Sequence, residues 1–386
     1  MRLSYTVASS LTLLGLMGAC VVQPRAAQST PMEPTIVISR QASMTEAPRN
    51  PDAVIPTPPP VLFVAQDRLA ELLADGTTRI IAALADEGPV LSAIRLHDSV
   101  FLLRERGLQR VELEGARVTT VVRFRERPLF GELVRTAADD VLLYSTARES
   151  LCSATGMGAT LGLYEIPTGE ASLILDTDQG YVRVLGLAAD RRRIYALPVG
   201  CDPEFDEFWE ILGENGATTR RLPTSDGVTK EYGHEYAALS PDAGSLAFTS
   251  SRYLESENTL RYRLSVYDLD TLSIARYDLP NPPSHIWGGI VWSSDSRRLY
   301  FVIHAGSPED EPSRPHGLWA LDTQEHSISR IADLTEPAMH LLGISADDAW
   351  LLLAPEHQQT VTYIYLPAGE HTLLELPPEG VDAIVR

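Results

Sequence analysis

Leu239-Ser240-Pro241-Asp242-Ala243-Gly244-Ser245-Leu246-Ala247-Phe248 holds the phrase from which the fold is read. It is an inner strand end, a tight polar turn and an apolar second strand. In such a turn Asp accepts hydrogen bonds from nearby backbone amides, and Pro or Gly supplies the turn dihedrals. The phrase returns as Trp292-Ser293-Ser294-Asp295-Ser296-Arg297-Arg298-Leu299-Tyr300-Phe301. Its aspartate recurs at Asp98, Asp139, Asp190, Asp242, Asp295 and Asp347, with gaps of 41, 51, 52, 53 and 52 residues. A second turn follows in each unit: Asp75-Gly76, Glu114-Gly115, Thr168-Gly169, Asn215-Gly216, Asp270-Thr271, Asp322-Thr323 and Ala368-Gly369. Strand-only units at a period of roughly fifty residues are how a β-propeller is written in sequence.

After the first turn comes an apolar run: Val100–Leu103, Val141–Tyr144, Ile194–Leu197, Leu246–Phe248, Leu299–Ile303 and Trp350–Leu353. Near-continuous apolar runs mark strands covered on both faces, as the middle strands of a blade are by its neighbours. Innermost strands crowd the axis, where Gly186, Gly288, Gly289 and Gly343 are expected. The first unit has strands at Val61–Gln66, Arg68–Leu73 and Thr78–Ala82 but no innermost strand. The last residues, Val381 to Val385, form a strand with no partner after it. Placing this strand at the centre of blade one closes the ring and removes its edges. The fold expected is therefore all-β, a seven-bladed β-propeller of four-stranded antiparallel blades closed by the C-terminal strand. Residues 68–87 are rich in Leu, Ala and Glu; were they helical, six blades would be the alternative.

The Ser-Pro-Asp phrase resembles the repeat of TolB-like, WD-like propellers, most closely in blades five and six. That resemblance implies a binding or assembly scaffold, the alternative being a propeller-based lyase or hydrolase that acts on a cell-envelope saccharide or peptide through His234, His285 and His340. A fold does not by itself fix a function.

Arg2 and the apolar stretch Val7–Ala19 have the length and flanks of a signal peptide. The end, Leu16-Met17-Gly18-Ala19-Cys20, resembles the bacterial lipobox, with Met17 where leucine is usual. The resemblance implies lipidation of Cys20 and an extracytoplasmic protein anchored to a bacterial membrane. The competing reading is an ordinary signal-peptidase site beside an incidental cysteine, which Met17 suits poorly because that position prefers a small side chain. Residues 21–60 contain nine prolines and read as an extended tether with a reach on the order of 100 Å. Within it, Thr35-Ile36-Val37-Ile38-Ser39 has strand character but cannot fold alone. The domain division is thus 1–19 signal peptide, 20–60 lipidated Cys and Pro-rich tether, and 61–386 propeller.

The 386 residues carry 52 acidic and 32 basic side chains, a net charge of -20, and a single lysine, Lys230. Nucleic acid and anionic lipid surfaces need a basic footprint, so neither is the expected partner. The expected partner is another envelope protein or a small cell-envelope ligand, bound by a monomer whose only membrane contact is its lipid anchor.

No nucleophile elbow, P-loop, dinucleotide fingerprint or His-Glu-x-x-His motif occurs, so no catalytic residue, cofactor or metal is assigned. The candidate ligand-binding residues are His234, His285 and His340, each entering a blade, with His304 at the end of a second strand and Trp287 as a stacking surface. All fall on the propeller face that carries the loops between second and third strands and those entering each blade. The alternatives are a His-lined channel mouth or loop histidines that are merely solvated. Cys152 and Cys201 each follow the second strand of adjacent blades. Outside the cytoplasm they are expected to pair as a disulfide, the alternative being two free thiols. The acidic loops at 202–207 and 309–311 lack the ordered spacing of a calcium loop and read as solvated charge.

Overall fold

In the computed structural model each apolar strand sends alternate residues to opposite neighbours, and that alternation builds the ring. Leu299, Phe301 and Ile303 face blade five, while Tyr300 and Val302 face blade seven. Val61 and Phe63 likewise pack toward blade seven, and Leu62 and Val64 toward blade two. Successive side chains of a strand point to opposite faces, so a run without polar interruptions fills two inter-blade layers at once. The core is accordingly not one cluster. Apolar clusters lie between blades one and two, two and three, three and four, four and five, five and six, six and seven, and seven and one.

The structure describes residues 36–40, 43–46, 54–136, 139–148, 158–177, 181–199, 207–224, 236–254, 259–280, 284–305, 316–334, 339–355, 360–377 and 381–385. Seven antiparallel blades follow one another in chain order, and no helix occurs among these residues. Residues 68–87, the segment with helical composition, are the strands Arg68–Leu72 and Thr78–Ala83 around the turn at Gly76. Gly76 has φ +81, a left-handed value that a helix interior does not use. Seven blades, not six, follow from this.

Blade one is closed as the sequence implied. Its order is Ala383–Ile384, Val61–Ala65, Arg68–Leu72, Thr78–Ala83. Phe63 lies opposite Ile384 and Val64 opposite Ala383. The Asp382 amide donates to the Val64 carbonyl at 2.8 Å and the Val385 amide to that of Leu62 at 2.9 Å.

The Asp turns have a common stereochemistry. A non-glycine residue at positive φ recurs in each: His97, Asp139, Arg191, Ala243, Ser296 and Asp348, at φ 50 to 61. In three of them this left-handed residue reaches back to the preceding blade. Arg191 pairs with Asp140 at 2.9 Å. Ser296 Oγ accepts from the Asp242 amide at 3.0 Å. The carboxylate of Asp348 accepts from the Ser294 amide at 3.0 Å and from its hydroxyl at 2.6 Å. The turns thus brace one another around the axis.

The inner-strand glycines have a sharper cause than crowding. Gly186, Gly288–Gly289 and Gly343 all fall at β-bulges in the inner strands of blades four, six and seven. A Cβ on Gly288 would lie 2.4 Å from the Met339 carbonyl oxygen, so that close approach needs glycine. Gly343 has open space where its Cβ would be, so crowding does not account for it.

Part of the predicted tether belongs to the ring. Ile36–Arg40 pairs in parallel with the outer strand of blade five, from Ile36 opposite Ser273 to Arg40 opposite Tyr277. Ser43–Glu46 does the same on blade six, from Ser43 opposite Ser327 to Glu46 opposite Arg330. Blades five and six therefore have five strands. The β-branched run Ile36-Val37-Ile38 suits this placement, since an outer strand presents open backbone groups that an extended segment satisfies.

Candidate functional site

Of the histidines singled out in the sequence, two form a close pair. His285 lies on the inner strand of blade six, Ser284–Trp292, and His304 on the second strand, Arg298–Ala305. They are direct cross-strand partners. Their ring centroids are 5.5 Å apart with the planes tilted by 37°. Tyr262, on the third strand of blade five, brings its ring to 5.7 Å from His285. Both histidines are buried, at 6% and 5% exposure.

His340, half-buried, opens the inner strand of blade seven, Met339–Ile344. The Gly288–Gly289 bulge presses against its backbone, as the 2.6 Å between the His340 Cα and a Cβ built on Gly288 shows. Two inner strands thus meet at a bulge, with His285 on that of blade six and His340 on that of blade seven, while His304 lies on the second strand of blade six. Trp287 borders the bulge, with its backbone opposite Val302. The backbone also sets His316 opposite His304, extending the register of histidines to the third strand of blade six. Tyr262 and His316 were not singled out in the sequence, because only the blade order and the strand register reveal them. His234, the lipidation candidate Cys20 and the proposed Cys152–Cys201 pair lie outside the described residues.

The opposite face carries a cleft of about 590 Å³ between blades six and seven, lined among others by Asp295, Arg297, Arg298, Tyr300, Asp322 and Asp348. Its charged groups are already employed. Asp295 accepts from the Ser293 hydroxyl at 2.6 Å and the Arg297 amide at 3.0 Å. These hydrogen bonds hold its carboxyl below the usual 3.8. Arg297 is bound to Asp322 at 2.9 Å and Glu325 at 3.1 Å. Burial raises the Tyr300 phenol above its ordinary value. Among the described residues no cluster of three or more His, Cys, Asp or Glu has metal-holding geometry.

No known family model matches the sequence. No curated protein matches it either. The fold is nevertheless shared widely among solved structures. An oligogalacturonate lyase in complex with manganese is similar at TM-score 0.58 and 17% identity, covering 81% of this chain and 83% of that one. The oligogalacturonate lyase of Vibrio parahaemolyticus is similar at TM-score 0.56 and 14% identity, covering 81% and 84%. TolB from Acinetobacter baumannii is similar at TM-score 0.48 and 12% identity, covering 84% and 80%. At these identities the likeness shows the fold alone. The chain is a seven-bladed β-propeller whose structural neighbours include TolB and oligogalacturonate lyase.

Proposed function

We propose that this protein is a membrane-anchored extracytoplasmic propeller lipoprotein that binds a protein or small envelope ligand without turning it over. Burial of His285 and His304 carries the non-enzymatic part of this reading. A general acid or base must come within hydrogen-bond reach of its substrate. Two rings packed on each other, with His285 also against Tyr262, serve better to shape the channel mouth than to meet a substrate. The lipobox-like segment ending in Cys20 supports the anchor. Several acyl chains would hold it stably, whereas one binds marginally.

A second reading is favoured by the same histidines: a propeller lyase or hydrolase acting on an envelope saccharide or peptide through His234, His285 and His340. The lyase neighbours act on oligogalacturonate, which makes uronate oligosaccharides the first substrates to assay. One set of proteins separates the two readings. The intact chain is assayed for turnover and for partner capture from envelope extracts, beside a His234→Ala, His285→Ala, His340→Ala variant. The scaffold reading predicts capture by the intact chain and no turnover by either protein. Turnover lost in the triple variant would replace it with the enzyme. Labelled fatty acid should enter the wild-type chain and not Cys20→Ser.

A further inference from the structure

We propose that residues Ile36–Glu46 are a releasable strap that gives the proposed anchor arm two lengths. The observation is the docking of this segment along the rims of two consecutive blades. Nine residues pair, five on blade five and four on blade six. Only residues 41 and 42 separate the two strands. Three residue steps, from Arg40 to Ser43, span at most about 11 Å. The end of blade five's outer strand and the start of blade six's therefore come close enough for one short segment to pair with both. The described chain then resumes at 54 and enters blade one at Val61.

Two properties make the strap easier to open than the middle strands of the blades. It is held along one edge only, whereas a middle strand of a blade is paired on both. Its pairing is also parallel and short, and parallel pairs are slightly weaker per residue than antiparallel ones. Segments with few partners open at a small fraction of the global free energy. Release leaves the seven inter-blade clusters and the Phe63–Ile384 closure intact, because the closure is made by residues beyond the strap.

The consequence rests on the anchored reading above. With the strap docked, the free arm is Cys20 to Thr35, 16 residues, an extended reach of ~50 Å. With it released, the arm is Cys20 to Pro60, 41 residues, and the reach is ~125 Å. The same protein would then meet partners near the membrane in one state and much farther out in the other.

Two measurements on the full chain test the strap without using the anchor. In hydrogen exchange, amides of 36–46 should be protected about tenfold or more over an unfolded chain, yet exchange at least 100-fold faster than Ser245–Leu254 and Arg298–Ala305. In limited trypsin digestion, cleavage after Arg40 should speed at least tenfold in the Val37→Pro, Ile38→Pro variant. Successive amides of a strand alternate in direction, so this pair removes a ladder bond whichever way they face. Cleavage after Arg25 should be unchanged. Exchange at 36–46 as slow as in the blade strands would make the strap a permanent part of the fold and overturn its release. Absence of protection, or equal cleavage after Arg40 in both proteins, would overturn its docking. Failure of the anchor reading shows separately, as chain lacking lipid in the soluble fraction with an unaltered exchange pattern.

Discussion

Gly288 shows how much of the site hangs on one missing methyl group. Its φ is +74, and a Cβ would stand 2.4 Å from the Met339 carbonyl oxygen and 2.6 Å from the His340 Cα. Gly288→Ala must force the inner strands of blades six and seven apart or flatten the bulge that separates Trp287 from Ile290. The left-handed backbone alone costs an alanine ~1–2 kcal/mol, and the overlap adds to that. We expect a total of about 2–4 kcal/mol, read from urea denaturation of wild type and variant. The Asp turns make a second prediction at this scale. Hydrogen bonds from Ser293 and the Arg297 amide hold Asp295 below 3.8, and those from Ser345 and the Ala349 amide do the same for Asp347. A carboxyl depressed in the native state contributes stability that is complete above its unfolded pKa. That contribution fades as pH falls through the lowered native value. The melting temperature of wild type should thus exceed that of Asp295→Asn, Asp347→Asn by a constant margin from about pH 5 upward. The margin should shrink below about pH 4. A margin that widens in acid would contradict the assignment. The phrase Ser-x-Asp made these turns legible, since Ser and Asp bond each other and the backbone within five residues. The left-handed neighbour that clasps the preceding blade was not legible, because its partner is 54 residues away in Ser294–Asp348 and Asp242–Ser296.

At the scale of elements the terminal strand carries the most weight for its length. Two residues, Ala383 and Ile384, complete blade one, and Ile384 and Val385 are buried in the clusters on its two sides. Deleting residues 383–386 exposes the Val61–Ala65 edge and uncovers two aliphatic side chains worth ~1.5–3 kcal/mol each. We expect destabilisation by about 3–6 kcal/mol, with the loss shared by Ile384→Asp, in thermal or urea unfolding. Retention of wild-type stability by both variants would show that blade one closes without them. The strand was readable as an orphan at each end of the chain, a purely arithmetic signal. The docking of Ile36–Arg40 and Ser43–Glu46 was not readable in this way. Its apolar run was visible, but parallel pairing on an outer edge is a backbone interaction that demands little of the side chains. Nothing in the sequence of the outer strands Ser273–Asp278 and Ser327–Leu334 marks them as receivers.

The whole molecule is a ring of seven inter-blade layers, and this explains both the clarity of its repeat and the obscurity of its candidate site. Every blade solves the same packing problem, so turn, apolar run and turn recur at nearly constant spacing in the sequence. The candidate residues solve no repeated problem. His285, Tyr262 and His340 come from blades six, five and seven, and His304 from a second strand, so no motif in the chain announces them together. What the sequence by itself determined is the all-β class, the seven units and the closure by the terminal strand. Those properties are local or periodic: turn chemistry acts over a few residues and strand alternation over two. Only the tertiary structure decided that His285 and His304 form a buried pair, that Gly288 is held by the backbone of the next blade, and that part of the N-terminal arm belongs to the rim. Each of those depends on which strands the closed ring brings side by side, a distance in space that separation along the chain does not encode.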